Sequence, residues 1–233
     1  MREIVLTNDD GVDAPGLRAL TEATVGLGDC RVVAPRTPQS GVGHRLTTKE
    51  PLTVTERGPG RYEVDGTPAD CARLAIRQLS GQVDWLLAGI NHGGNLGADF
   101  YPSGTIAAAR EAALLGCPSI SVSQYVHQGR ELNWESTARR AGGVIRRLLE
   151  RGLEPGHYWN VNLPHPEDDD AECEIVFCPL DPSPFDVRFR EEGNAVVYDG
   201  SYFRRPRRAG YDVDVCFSGK IAVSLISLDI NPS

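Results

Sequence analysis

The sequence predicts an α/β protein: a Rossmann-like, open, mostly parallel sheet with helices on both faces, followed by a β-rich C-terminal extension. Three observations carry this expectation. Short apolar runs alternate with helical periodicities from residue 3 to about residue 151. Three of those runs end in polar loops: 8–11, 36–45 and 89–97. Beyond residue 158 strand-like segments follow one another, separated by proline, glycine and acidic residues. The expected division is a core over 1–157 and a second part over 158–233 that continues the sheet and carries a hairpin, around 185–205, for subunit contacts.

Residues 3–7 form an apolar run that breaks into Asn8-Asp9-Asp10-Gly11, as a buried parallel strand gives way to a loop. Pro15 suits a first helical turn, and Leu17, Leu20, Ala23 and Thr24 keep helical spacing. Residues 30–34 form a second strand stopped by Pro35. Residues 46–56, interrupted by Pro51, and 61–64 predict extended segments. Thr67 caps a helix opened by Pro68 and carried by Cys71, Leu74, Ala75 and Leu79. A third buried strand spans 85–88. After Ser103-Gly104-Thr105 an alanine-rich helix runs over 106–115 and ends at Gly116. The strand 119–122 and the long helix 134–151, closed by Gly152, complete the alternation. Later strands are expected at 159–162, 175–178, 195–198 and 222–228, with no helix between them.

Composition narrows the function. An apolar fraction of 40% and a charged fraction of 24% suit a soluble globular chain. The formal net charge is −8, and Arg204, Arg205, Arg207 and Arg208 are the single basic block. No broad electropositive surface is therefore expected, which argues against nucleic-acid polymers as partners. Apolar stretches such as 221–228 fall far short of the roughly 18 residues that spanning a membrane needs. The N-terminus shows no signal-peptide pattern, and six scattered cysteines form no CxxC pair. Reduced thiols and a cytoplasmic location are the expectation.

The chemistry is expected where the three polar loops gather at the carboxyl edge of the sheet. Asp9 and Asp10 are adjacent carboxylates beyond a strand, Ser40 offers a hydroxyl, and Asn91 or Asn95 offers a side-chain carbonyl. Two carboxylates with neutral oxygens suit Mg²⁺ or Mn²⁺ rather than zinc. Each residue alone has an ordinary reading as turn, loop or cap; their coincidence at three strand ends points to a metal. Ser103, Gly104 and Thr105 open a helix whose free amides would cradle phosphate. A cation beside an anion cradle suits metal-assisted phosphoester hydrolysis. His44 and His92 lie in candidate loops, where either could contact substrate or donate a proton.

These residues also carry a resemblance. The run 4–16, Ile-Val-Leu-Thr-Asn-Asp-Asp-Gly-Val-Asp-Ala-Pro-Gly, resembles the opening of the SurE (survival protein E) nucleotidase family. Val32-Val33-Ala34-Pro35 with Ser40-Gly41, then Gly66-Thr67-Pro68-Ala69-Asp70-Cys71, match its next blocks. So do Gly89-Ile90-Asn91 with Gly93, Asn95 and Gly97, and Ser103-Gly104-Thr105 with Ala107, Ala108 and Glu111. Fainter matches follow at 160–164, 212–214 and 223–228. The chain departs from the family's usual pattern at Gln39, Gly94, Pro102 and Ala112.

The resemblance implies a metal-dependent phosphatase of nucleoside monophosphates, working as a homodimer or homotetramer with one divalent ion per subunit. Metal ligands carry over onto Asp9, Asp10, Ser40 and Asn91, and phosphate contacts onto Asn95, Ser103, Gly104 and Thr105. The expected activity is that of a 5′-nucleotidase, with Asp9 and Asp10 at the centre of catalysis; 3′-nucleotides and polyphosphate are further candidate substrates. Two rivals are a nucleotide sensor without turnover and a phosphatase forming an aspartyl-phosphate. The Asp-x-Asp signature of the haloacid dehalogenase type is absent, since the order here is Asn8-Asp9-Asp10.

Overall fold

The structure, a computed structural model, describes residues 1–185, 187–200 and 202–229. Residues 186 and 201, within the expected hairpin region, and 230–233, the end of the expected second part, lie outside the described residues. The first half alternates as the sequence predicts: β1 (Glu3–Thr7), α1 (Pro15–Ala23), β2 (Asp29–Pro35), β3 (Val54–Gly58), β4 (Arg61–Val64), α2 (Pro68–Leu74), β5 (Trp85–His92), α3 (Gly104–Leu114), β6 (Ser119–Gln124), α4 (Trp134–Arg151) and β7 (His157–Leu163). There follow β8 (Ile175–Phe177), β9 (Phe189–Glu192), β10 (Ala195–Tyr198), α5 (Asp212–Phe217) and β11 (Ile221–Ser227).

Nine strands form one sheet in the order β3-β4-β2-β1-β5-β6-β7-β11-β8. All neighbours are parallel except β3–β4 and β7–β11. The alternation of β1 divides the core: Ile4 and Leu6 pack with Leu17, Leu20, Ile145 and Leu148 of α1 and α4. Val5 faces the other way, with Ala72 of α2 and Ala108 and Ala112 of α3. Helices thus cover both faces, as a sheet of buried parallel strands requires. The strand order turns back between β1 and β5, which puts the loops after these two strands on either side of the crevice where ligands of open α/β sheets bind.

Three local readings change. Residues 46–53 are not a strand: the Thr47 amide and hydroxyl donate to the Asp70 carboxylate at 2.9 and 2.8 Å, so this segment bonds a helix cap instead of a ladder. The third buried strand does not stop at 88 but runs to His92 through a bulge between Ala88 and Asn91, with pairing resumed at Asn91↔Ser123. Such a bulge re-aims the side chains beyond it. A short helix, α5, occupies a stretch expected to hold none. Its six residues are too few for helical periodicity to show, and no side-chain cap marks its start, where Tyr211 stands at the cap position. The hairpin is present: β9 and β10 pair antiparallel in a sheet of their own.

Candidate active site

The loops after β1, β2 and β5 meet at the carboxyl edge of the sheet in one cleft, lined among others by Asp9, Asp10, Ser40, Asn91, Asn95 and Ser103. Each side chain is held by its own device. The Asp9 main chain accepts from the Gln39 amide at 2.7 Å, joining the loop of the aspartates to the loop of Ser40. Asp10 Oδ2 accepts from the His92 amide at 3.2 Å, which ties it to the end of β5. Asn91 donates its Nδ2 to the Gly93 carbonyl at 2.7 Å, which leaves its Oδ1 for the cleft.

Asp9 is the buried member of the carboxylate pair. Its Oδ1 accepts from the Thr105 hydroxyl at 2.5 Å. Gly104 makes the approach of α3 feasible, because a Cβ there would lie 2.9 Å from Asp9 Cβ and 3.0 Å from its Oδ2. Burial pushes the Asp9 pKa up to about 6; the Thr105 hydroxyl opposes the rise and the neighbouring charge of Asp10 adds to it. An under-compensated carboxylate beside a second one, facing neutral oxygens, fits a hard divalent cation. The side chains that Asp9, Asp10, Ser40 and Asn91 bring to the cleft offer oxygens as donors; among the described residues no group of three His, Cys, Asp or Glu side chains is placed to share a metal.

The segment 103–105, expected to hold phosphate, separates into two roles. Ser103 lines the cleft and its Oγ caps α3 by accepting from the Ile106 amide at 3.1 Å. Gly104 and Thr105 do not line it; they stand behind Asp9, with Thr105 fully buried. Asn95 is fixed by a polar seam that the sequence reading missed. Its amide donates to Asn162 Oδ1 at 2.8 Å and its Nδ2 to Ser123 Oγ at 2.7 Å, while its carbonyl accepts from Asn160 and Asn162. The available signal was Asn160-Val161-Asn162, two amides on one face of a buried strand, where unpaired polar groups are costly. Asp212 was likewise missed as a tether: it is fully buried and accepts from the amides of Gly97 (2.8 Å) and Asp181 (2.7 Å). His92 lines the cleft, whereas His44 does not; its Nε2 meets Glu111 at 2.7 Å. Tyr202, from the C-terminal third, supplies another part of the rim.

Fold and cleft together define a class: a doubly wound α/β protein with an oxygen-lined site at its switch point, beside the start of a helix. Comparison with known proteins places it further. Residues 4–181 match the family model described as survival protein SurE, and the chain belongs to that family. A relative from Synechocystis sp. is 49% identical over 221 residues, covering 94% of this chain and 97% of its own. A Geobacter metallireducens protein named 5′-nucleotidase SurE is 46% identical over 163 residues, or 70% of this chain and 64% of that one. The crystal structure of SurE protein from Aquifex aeolicus superposes with a TM-score of 0.84 at 32% identity, covering 98% of this chain and 94% of that chain.

Proposed function

We propose that this chain is a phosphoric monoester hydrolase, a divalent-metal-dependent 5′-nucleotidase that converts nucleoside 5′-monophosphates and water to nucleoside and phosphate. The observation that carries this reading is the meeting of Asp9, Asp10, Ser40 and Asn91 in one cleft with Ser103 at a helix start. The relatives that carry a 5′-nucleotidase name support it. Those four residues would hold Mg²⁺ or Mn²⁺, which would supply charge stabilisation at the phosphoryl group and a more acidic water.

The protein's own share is positional. Thr105 fixes one oxygen of Asp9, leaving the other for the cleft. The His92 amide orients Asp10. Ser103 and Asn95 border the place where phosphate oxygens would sit, with Ser103 at the positive end of α3. Asn95 keeps its position because its main chain and amide are both bonded to the seam below.

The same reading assigns catalysis to the part over 1–157 and assembly, as a homodimer or homotetramer, to the part over 158–233. Exposed Phe189 and Val196 on the hairpin support the second assignment, since such apolar surface favours a partner. Among the described residues no helix is long and apolar enough to cross a membrane; a cytoplasmic location is part of the proposal.

A phosphate-release screen over nucleoside 5′- and 3′-monophosphates and short polyphosphates, with Mg²⁺, Mn²⁺ or EDTA, tests the proposal. Metal-dependent release from 5′-monophosphates is the expected result. Nucleotide binding without release would make the chain a sensor, and a trapped phosphoaspartate would make it a phosphatase of the covalent type.

A further inference from the structure

Beside the cleft lies a second, more enclosed cavity of about 200 Å³. It shares two lining residues with the cleft, Asp99 and Tyr202. Its other walls are mainly apolar, from Phe185, Tyr198, Pro206 and Val213, with Asp181, Ser183 and Arg205 as polar points. The cleft itself measures about 270 Å³. Each space is smaller than the roughly 300–1,000 Å³ of sites that enclose a whole drug-sized ligand, whereas the two together fall within that range. One space is polar and joins the proposed cation site to the start of α3; the other is walled mainly by rings and aliphatic groups, as a flat heterocycle prefers.

Tyr202 is the partition. Arg205 stacks on its ring at 4.5 Å, and its hydroxyl reaches the Gly94 carbonyl at 3.4 Å. A Cβ at Gly94 would lie 2.8 Å from that hydroxyl, so the glycine at this position, one of the chain's departures from the family pattern, is what admits the phenol. Asp212 fixes the floor by holding the Gly97 and Asp181 amides at once.

We propose that this second cavity seats the base of the substrate, with Tyr202 dividing it from the phosphate cleft; the inference rests on the nucleotidase reading and names the part of the substrate that the cleft does not hold. The test compares kcat/KM for adenosine 5′-monophosphate with that for ribose 5-phosphate, which carries the same phosphoester without a base. The native chain should prefer the nucleotide by about tenfold or more, the scale of base–aromatic contacts. Ser183→Trp, which fills the cavity, should erase most of that preference, and Tyr198→Ala, at an exposed position, should reduce it. Equal loss on both esters, or no preference in the native chain, overturns the inference. Release from neither ester overturns the nucleotidase reading instead. Calorimetric titration with adenosine then still decides the cavity: saturable heat that Ser183→Trp abolishes supports it, and no saturable heat in the native chain overturns it.

Discussion

Asp9 and Asp10 are neighbours in sequence but differ in setting: one is buried against α3 and bonded to Thr105, the other is partly exposed and bonded to the His92 amide. Replacing either with Asn removes a charge while keeping shape. Each variant should lose metal-dependent phosphate release by about 100- to 1,000-fold, the scale of losing one preorganised electrostatic contact at the reacting group. The melting temperature of Asp9→Asn measured without metal should not fall, because Asp9 already carries a burial penalty as an anion. Near-normal turnover in Asp9→Asn with Asp10→Asn would contradict the site. Thr105→Val tests the hydroxyl behind Asp9. A hydrogen bond to a charged group is worth about 1.5–3 kcal/mol, so kcat should drop by roughly 10- to 100-fold. Thr105→Ser should recover most of it, and unchanged kinetics in Thr105→Val would show that the bond does not position Asp9. These roles were only half legible in the sequence. Residue type and loop position pointed to oxygen donors, but nothing in Ser103-Gly104-Thr105 told which hydroxyl faces the cleft and which faces an aspartate.

One helix, α3, meets the site at its N-terminus, and a second, α2, carries a cap that can be probed on its own. Gly104 lets α3 abut Asp9. Gly104→Ala should cost about 1–3 kcal/mol by overpacking, read by chemical denaturation, and should weaken turnover, because the helix start and Asp9 cannot both keep their places. Helix α2 begins with a reciprocal cap: the Thr67 side chain accepts from the Asp70 amide, and the Asp70 carboxylate accepts from the Thr67 amide. Burial alone would raise the Asp70 pKa, but the hydrogen bonds from Thr47 and Thr67 outweigh it and hold the carboxyl below its usual value. A depressed pKa means that this stabilisation is complete above the ordinary carboxylate range, near pH 4, and is lost as pH falls through the lower folded value. Asp70→Asn should therefore be less stable than the native chain by about 1–2 kcal/mol at pH 7, with the gap narrower at a second pH below about 4. An equal gap at both pH values would refute the cap's charge as the cause. The cap was legible as Thr67-Pro68 before an apolar period. The fate of 46–53 was not, because Thr47 bonds to a residue 23 positions away that no local pattern reveals.

At the scale of the whole molecule, the alternation of strands and helices fixed the fold class, since a buried parallel sheet dictates both the apolar runs and the crossovers. The last third was harder to read: β8, β9 and β10 are three or four residues each, and β11 returns antiparallel to β7 but parallel to β8. Strands so short carry little periodicity, and their pairing depends on distant partners. The hairpin offers a test of assembly. Phe189→Asp with Val196→Asp should shift light-scattering mass toward the monomer if this face is covered in the native oligomer, and no shift would place the contact elsewhere. Asp212 has a wider consequence. It sits late in the chain yet fastens Gly97, a residue of the segment that completes the early cleft. A protease cut or an insertion just ahead of position 212 would leave every oxygen donor on the aspartate and asparagine loops untouched in sequence. It would nonetheless slacken the loop beside the proposed phosphate seat, so damage to the proposed activity can arise more than a hundred residues downstream of the chemistry.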